Sequence, residues 1–379
     1  MLDLPKFDRT LRNLVLLGDD LASGRLVWQS RPLHLEFSSN NICNLRCVMC
    51  PQHDGIAVKK AAPDFARRVL DALLPSAVIL QPFALSEPFA GDIDLFVQKC
   101  EEHDAFLHLV TNGTLLTEAK LRQVMPRVHR LFISFETFDK EVFEQLRVNA
   151  SFEKVLANIR TALAVAAEFN VPVALVTILM RPIFAALPDF VRQCHELGCR
   201  DIVVLELLPT YKRFEDHRVV GTVPMEDLVA LRDEALGAAQ ELSMNMDFNM
   251  PEPLCATYSG SPLQPRANHA ELAHRFKSEY SRQHGHFCQH AAHYMKVDTD
   301  GKVYPCCRAP EELVMGDLHE SSPAEIWNGP KYQELRQRMQ TGNLHECCKG
   351  CSVLTGTPHY RRPDQPAPGA LEPAIGAES

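Results

Sequence analysis

Cys43-Asn44-Leu45-Arg46-Cys47-Val48-Met49-Cys50 places three cysteines in the spacing C-x-x-x-C-x-x-C. Thiolates this close in sequence can converge on one metal centre, and soft sulfur ligands select zinc, Cu(I) or iron–sulfur clusters. The run lacks a fourth cysteine. Structural zinc sites fill all four positions with protein groups, whereas a metal that binds substrate keeps one open. Just before the run, Leu33-His34-Leu35-Glu36-Phe37 alternates apolar and polar residues as a strand does. The cysteines therefore lie in a loop leaving a strand, where barrel-like α/β proteins build their active sites.

From residue 33 to about 208, strand-like and helix-like patterns alternate, which predicts parallel βα units. Strands are expected at Val78–Leu80, Phe106–Val110, Leu131–Phe135, Val173–Leu179 and Ile202–Leu207. With the first strand these make six units, too few for a closed eight-stranded barrel. Stripes at helical spacing, Ile93/Phe96/Val97/Cys100 and Leu187/Phe190/Val191/Cys194, assign Cys100 and Cys194 to the core. Cys199 follows a helix-capping Gly198 and also reads as structural. Residues 1–32 predict an amphipathic helix (Phe7, Leu11, Leu14) and a connector, an extension too small for an independent peptide-binding domain. Residues 209–287 read as a connector: a helix from Thr222 to about Leu242, then Met244–Met250 alternating as a half-buried strand, then irregular chain. Cys255 lies just beyond that strand, either a spectator thiol or a hydrogen donor if it faces a reaction chamber.

A second group, Cys288, Cys306, Cys307, Cys347, Cys348 and Cys351, is threaded through a hairpin signal. His293–Val297 and Lys302–Tyr304 flank Asp298-Thr299-Asp300-Gly301. Ser322-Pro323-Ala324-Glu325 is a capping box with proline at the first helical position, predicting a helix through Met339. Cysteines before a hairpin, at its far end and beyond a helix can meet at one metal, iron–sulfur or zinc. After Pro358 the chain is proline-rich without apolar periodicity, and residues 358–379 read as a disordered tail.

The Cys-Asn-Leu-x-Cys wording, its spacing and the strand before it resemble the radical S-adenosylmethionine (SAM) enzymes. The resemblance implies a partial (β/α)6 TIM-like barrel and a [4Fe–4S] cluster on Cys43, Cys47 and Cys50. It implies a fourth iron that chelates SAM, whose cleavage gives a 5′-deoxyadenosyl radical that abstracts hydrogen from substrate. Ala84-Leu85-Ser86-Glu87-Pro88 is similar to the family's Gly-Gly-Glu-Pro segment, with Leu85 and Ser86 in place of the glycines. By the same resemblance Glu87, Asn112, Ser134 and Glu136 are expected to touch SAM; as an alternative, Asn112 and Ser134 could simply cap helices. Asp300–Cys307, Met315–Leu318, Glu325–Asn328 and Cys348-x-x-Cys351 resemble the SPASM/twitch extension of that family. This implies a small C-terminal domain of hairpin plus helix over residues 288–357, holding one auxiliary [4Fe–4S] cluster on Cys288, Cys306, Cys348 and Cys351. Cys307 and Cys347 compete with their neighbours for these places.

Thirteen cysteines without a basic-then-apolar N-terminal order read as reduced thiols in a cytoplasmic protein. A formal charge of −9 with no basic run argues against nucleic-acid binding, and no window approaches the ~18 apolar residues of a membrane span. The expected activity is dehydrogenation or epimerisation of a small sugar- or cyclitol-like substrate, the short extension and single auxiliary cluster motivating it. A flavodoxin- or ferredoxin-like protein is the expected electron donor, and Cys255 the hydrogen donor for epimerisation. Glu206, Arg181, Glu36 and His108 lie on or near strands as possible bases. The alternatives are modification of a ribosomally made peptide or protein side chain, and a non-catalytic iron–sulfur or zinc scaffold.

Overall fold

A computed structural model describes residues 4–83, 85–207, 214–251, 253–260, 288–349, 351 and 354. One sheet runs through the molecule: β1 (His34–Phe37), β2 (Ile79–Gln81), β3 (Phe106–Thr111), β4 (Val128–Ser134), β5 (Val173–Leu179), β6 (Asp201–Glu206), β7 (Asn245–Asn249), β8 (Ala256–Ser259), β9 (Tyr294–Val297), β10 (Lys302–Tyr304) and β11 (Gly316–Asp317). The order is β11-β10-β9-β1-β2-β3-β4-β5-β6-β7-β8. Neighbours from β1 to β7 are parallel. The six expected βα units are all present; β7 follows them in parallel, and β8 pairs antiparallel with it at the free edge. The sheet does not close on itself, because β1 pairs in parallel with β9 instead of with a late barrel strand. The partial barrel and its C-terminal hairpin therefore share one set of backbone hydrogen bonds.

Alternation along each strand sorts the two faces. Leu35, Phe37, Leu107, Leu109, Leu131 and Ile133 are fully covered by the outer helices, while His34, Glu36, His108, Arg130 and Phe132 occupy the opposite face. The helices turn matching stripes inward: Phe65/Val69/Leu70/Leu73 and Val155/Ile159/Ala162/Val165 are buried. Each such side chain contributes about 1.5–3 kcal/mol on removal from water. Cys100, Cys194 and Cys199 have no accessible surface, as their stripes predict. Gly198 closes helix Leu187–Leu197 at φ 92°, a left-handed cap that suits glycine.

Four local expectations need correction. The strand expected from Leu131 begins at Val128 and ends at Ser134, so Glu136 lies beyond it. In the N-terminal helix, Leu4–Ala22, Leu14 and Leu17 are buried but Leu11 is 43% exposed. The helix of the connector begins at Met225, after Pro224. The helix expected from Pro323 through Met339 is two helices, Pro323–Trp327 and Pro330–Thr341. Pro330 lacks the amide that would continue the first helix and starts the second at its favoured first position. The break frees Asn328, whose side chain exchanges two hydrogen bonds with the Trp28 backbone (2.8 and 2.9 Å). The tail at 358–379 and the connector residues 261–287 lie outside the described residues.

Candidate metal centre and cofactor site

β1 leads directly into the loop carrying Cys43, Cys47 and Cys50. That loop is pinned to the segment after helix Lys140–Leu146: Arg46 N donates to Val148 O (3.0 Å) and Val48 N to Leu146 O (2.9 Å). Leu45, Met49, Leu146, Met180, Ile183, Leu207 and Phe214 form a separate apolar cluster around the cysteines. Three donors face the sulfurs: Leu45 N (3.5 Å) and Asn112 Nδ2 (3.9 Å) to Cys43 Sγ, and Arg147 Nη1 (3.8 Å) to Cys47 Sγ.

Burial pushes the Cys43 thiol up, and pushes Cys47 up to about 12 against the pull of Arg147. Metal binding must therefore displace protons here. Among the described residues, the one group of three or more Cys, His, Asp or Glu ligand atoms within 4.8 Å of one another is Asp71/Glu102/His103. At least one pair of the Cys43, Cys47 and Cys50 sulfurs therefore stands more than 4.8 Å apart. Three cysteine sulfurs on one loop, with N–H donors facing two of them, fit an iron–sulfur cluster as ligands.

The expected SAM residues surround the loop. Glu87 is 2% exposed, and its carboxylate accepts from Thr111 Oγ1 (2.7 Å), Asn112 N (2.7 Å) and Phe89 N (3.2 Å). Its own N–H donates to Ile42 O (2.8 Å), so one residue staples the loops after β1, β2 and β3 together. Burial pushes its carboxyl up, opposed by the Asn112 N–H. Asn112 joins Cys43 to Asn44 Oδ1 (3.0 Å), and its own Oδ1 accepts from Thr114 N (2.9 Å). Ser134 is half-buried at the end of β4, on the face away from Ile133. Glu136 is 2% exposed and bound by Arg147 through two nitrogens, Nη2 to Oε1 at 2.5 Å and Nε to Oε2. Burial works against the Arg147 charge, but Glu136 and Cys47 more than offset it and keep the guanidinium protonated. Arg147 had no signal in the sequence: it follows the last turn of a short helix, and only the fold brings it to Cys47.

The second cysteine group is also brought together. Cys288, Cys306, Cys307, Cys347, Cys348 and Cys351 all line one cavity of about 30 Å³, walled by Leu335 and Met339. Burial pushes Cys306 up, and the charges of Cys307, Cys288 and Cys351 add to it; for Cys348 burial is joined by Cys347, Cys288 and Cys351. The predicted quartet is therefore mutually close. Cys347 is exposed, with His345 Nδ1 at 3.1 Å. Cys307 has accessible surface, yet burial pushes it up to about 11 and the next contribution is Glu36 on β1. Glu36 accepts from Tyr294 Oη and from Gln81 Nε2 (3.0 Å), with Lys296 Nζ at 3.7 Å. Burial pushes Glu206 up, countered by Arg308 and Arg218. Arg181 is engaged by the backbone of Arg218 and Thr222, and Cys255 is half-buried between β7 and β8, lining neither this cavity nor the larger one described below.

The model of the radical SAM superfamily matches residues 37–181, and that of the SPASM iron–sulfur cluster-binding domain matches 288–352. A GTP 3′,8-cyclase from Peptoclostridium acidaminophilum is 32% identical over 158 residues, 39% of this chain, and the match spans only 46% of that protein. A PqqA peptide cyclase from Granulibacter bethesdensis is 22% identical over 344 residues, covering 84% of this chain and 79% of the cyclase. Among solved structures, Streptococcus suis SuiB bound to precursor peptide SuiA aligns with TM-score 0.60 at 16% identity, covering 92% of this chain and 78% of SuiB. Native anSMEcpe with bound AdoMet and Cp18Cys peptide aligns with TM-score 0.59 at 15% identity, covering 87% and 89%. At these identities the structural likeness establishes the fold. With an open parallel barrel, a three-cysteine loop at the end of its first strand and a second cysteine cavity in a matching domain, the chain belongs to the radical SAM superfamily and carries a C-terminal SPASM iron–sulfur domain.

Proposed function

We propose that this radical SAM enzyme modifies a peptide or protein side chain. The observation that carries this is the alignment with a peptide cyclase along 84% of the chain, through barrel, connector and auxiliary domain alike. The peptide-bound SuiB and anSMEcpe structures share that whole architecture, which supports the same reading. The sugar- or cyclitol-like substrate expected from sequence is the weaker alternative. A small-molecule substrate draws support from the GTP cyclase, whose likeness is confined to 158 residues.

When bound, SAM and its [4Fe–4S] cluster supply a 5′-deoxyadenosyl radical that removes hydrogen from the substrate. Cys43, Cys47 and Cys50 would hold that cluster, and the apolar residues around them would exclude water. Arg147 keeps a cation beside Cys47. Glu87 and Asn112 fix the loops that flank SAM, with Ser134 and Glu136 on the β4 side. Cys288, Cys306, Cys348 and Cys351 would hold one auxiliary cluster. A flavodoxin- or ferredoxin-like donor supplies the electron, and Cys255 would return hydrogen only if the reaction inverts a centre.

Anaerobic reconstitution with SAM and dithionite should yield 5′-deoxyadenosine. Mass spectrometry of short peptides encoded beside the gene should then show a mass change dependent on SAM. A mass change confined to added small molecules, with every neighbouring peptide unaltered, would overturn the peptide reading.

A further inference from the structure

A second, larger cavity lies away from both cysteine groups. It is a chamber of about 860 Å³ within the barrel, lined from every strand from β1 to β8. Arg130 on β4 lines it beside His108 of β3, with which it is in register. The Arg130 guanidinium has no hydrogen-bond or ion-pair partner among the described residues, and its Nε is buried. On the opposite wall Asp201 and Asp247 face the same space, each held by one neutral donor: Asn245 Nδ2 to Asp201 (2.9 Å) and Thr257 Oγ1 to Asp247 (3.0 Å). The charge of Arg130 acts on Asp201 without an ion pair forming, so a gap separates the two walls.

A half-buried guanidinium gains most from a two-pronged oxyanion partner. A dianionic phosphate would meet repulsion from the two aspartates. A single carboxylate attached to N–H donors would satisfy both walls at once. Arg130 precedes the end of β4 by four residues, about 13 Å along the strand, a span that roughly four residues of extended peptide would cover.

We propose that Arg130 anchors the carboxylate of an acidic residue in the substrate peptide, deep in the barrel, with the backbone N–H groups of that residue and of the next turned to Asp201 and Asp247. This rests on the peptide reading of function. It gives the chamber a specificity role at the opposite end of the strands from the SAM loop.

Saturation-transfer NMR on the full chain, cluster-replete, tests it with N-acetyl-glutamate methylamide, its glutamine analogue and glutarate. The glutamate probe should bind at least tenfold more tightly than the glutamine one, and Arg130→Gln should erase that difference. If Arg130→Gln fails to fold, Arg130→Lys keeps the charge without the fork and should weaken the glutamate probe severalfold. Equal binding of the two probes, glutamate binding indifferent to either substitution, or tighter binding of free glutarate would each overturn the proposal. The same sample reports 5′-deoxyadenosine: its formation without glutamate-probe binding overturns this inference alone, whereas its absence overturns the function on which the inference rests.

Discussion

Arg147 places one guanidinium nitrogen 3.8 Å from the Cys47 sulfur while two others bind the buried Glu136. A fixed cation thus stands beside the Cys47 sulfur, and its counter-ion is itself shut off from water. The pair couples the metal loop to the end of β4.

Removing one partner of such a pair leaves an uncompensated buried charge, at a cost of about 3–5 kcal/mol. Arg147→Gln should therefore lower the unfolding midpoint and reduce 5′-deoxyadenosine formation at least tenfold. Adding Glu136→Gln to it should recover most of the stability but not the activity. A double-mutant cycle on denaturant unfolding, run beside the cleavage assay, checks both halves.

Ligand choice in the second cavity is open to direct counting. Cys306→Ala and Cys348→Ala should each lose the iron of the auxiliary cluster and keep the rest, whereas Cys307→Ala and Cys347→Ala should retain full iron. Iron and sulfide analysis with electron paramagnetic resonance of the reduced protein decides. The reverse pattern would move the ligands one residue along the chain.

The chain's two tryptophans both contact Arg336, which lies 4.1 Å from the Trp28 ring centroid and 4.8 Å from that of Trp327. Its nitrogens donate to Leu26 O (2.7 Å) and Trp327 O (2.7 Å), tying the N-terminal connector to the auxiliary domain. Arg336→Met keeps bulk but leaves those buried carbonyls unpaired, which should cost about 2–4 kcal/mol. Intrinsic fluorescence reads this latch alone, and its emission should shift red at lower denaturant in the variant. An unchanged transition would show that the aromatic packing suffices.

Burial raises the Asp201 carboxyl to about 6 from the ordinary 3.8, against the Asn245 hydrogen bond and the Arg130 charge. The native state then holds a proton that the unfolded chain has already lost. Stability from this group is complete below about pH 4 and falls as pH rises toward 6. At pH 7 the ionised form costs about 1–3 kcal/mol, the lower end reflecting water in the chamber. Asp201→Asn should be more stable than the parent at pH 7, and the advantage should shrink by pH 5. Anaerobic thermal melts across that range measure it; an advantage that grows on acidification would reverse the sign of the argument.

What could be read from the amino acids alone is what depends on local order. The strands follow from alternation, the core assignment of Cys100 and Cys194 from helical stripes, and the hairpin from Asp298–Gly301. The two cysteine groups were legible because the first lies within eight residues, and because the wording of both matched one family. The break at Asn328–Pro330 was legible in principle: Pro330 marks it, although the capping box at Ser322 suggests one continuous helix.

Tertiary structure alone decided the rest. Arg147 reaches Cys47 across a hundred residues, Glu36 meets Tyr294 across a separation of 258, and Arg130 is left facing an open chamber. No pattern along the chain encodes such meetings, because they depend on which strands become neighbours. The pairing of β9 with β1 brings the auxiliary domain against the barrel. Sequence order determines the cysteine groups and the elements; the electrostatic field around them arises only when distant strands share one sheet.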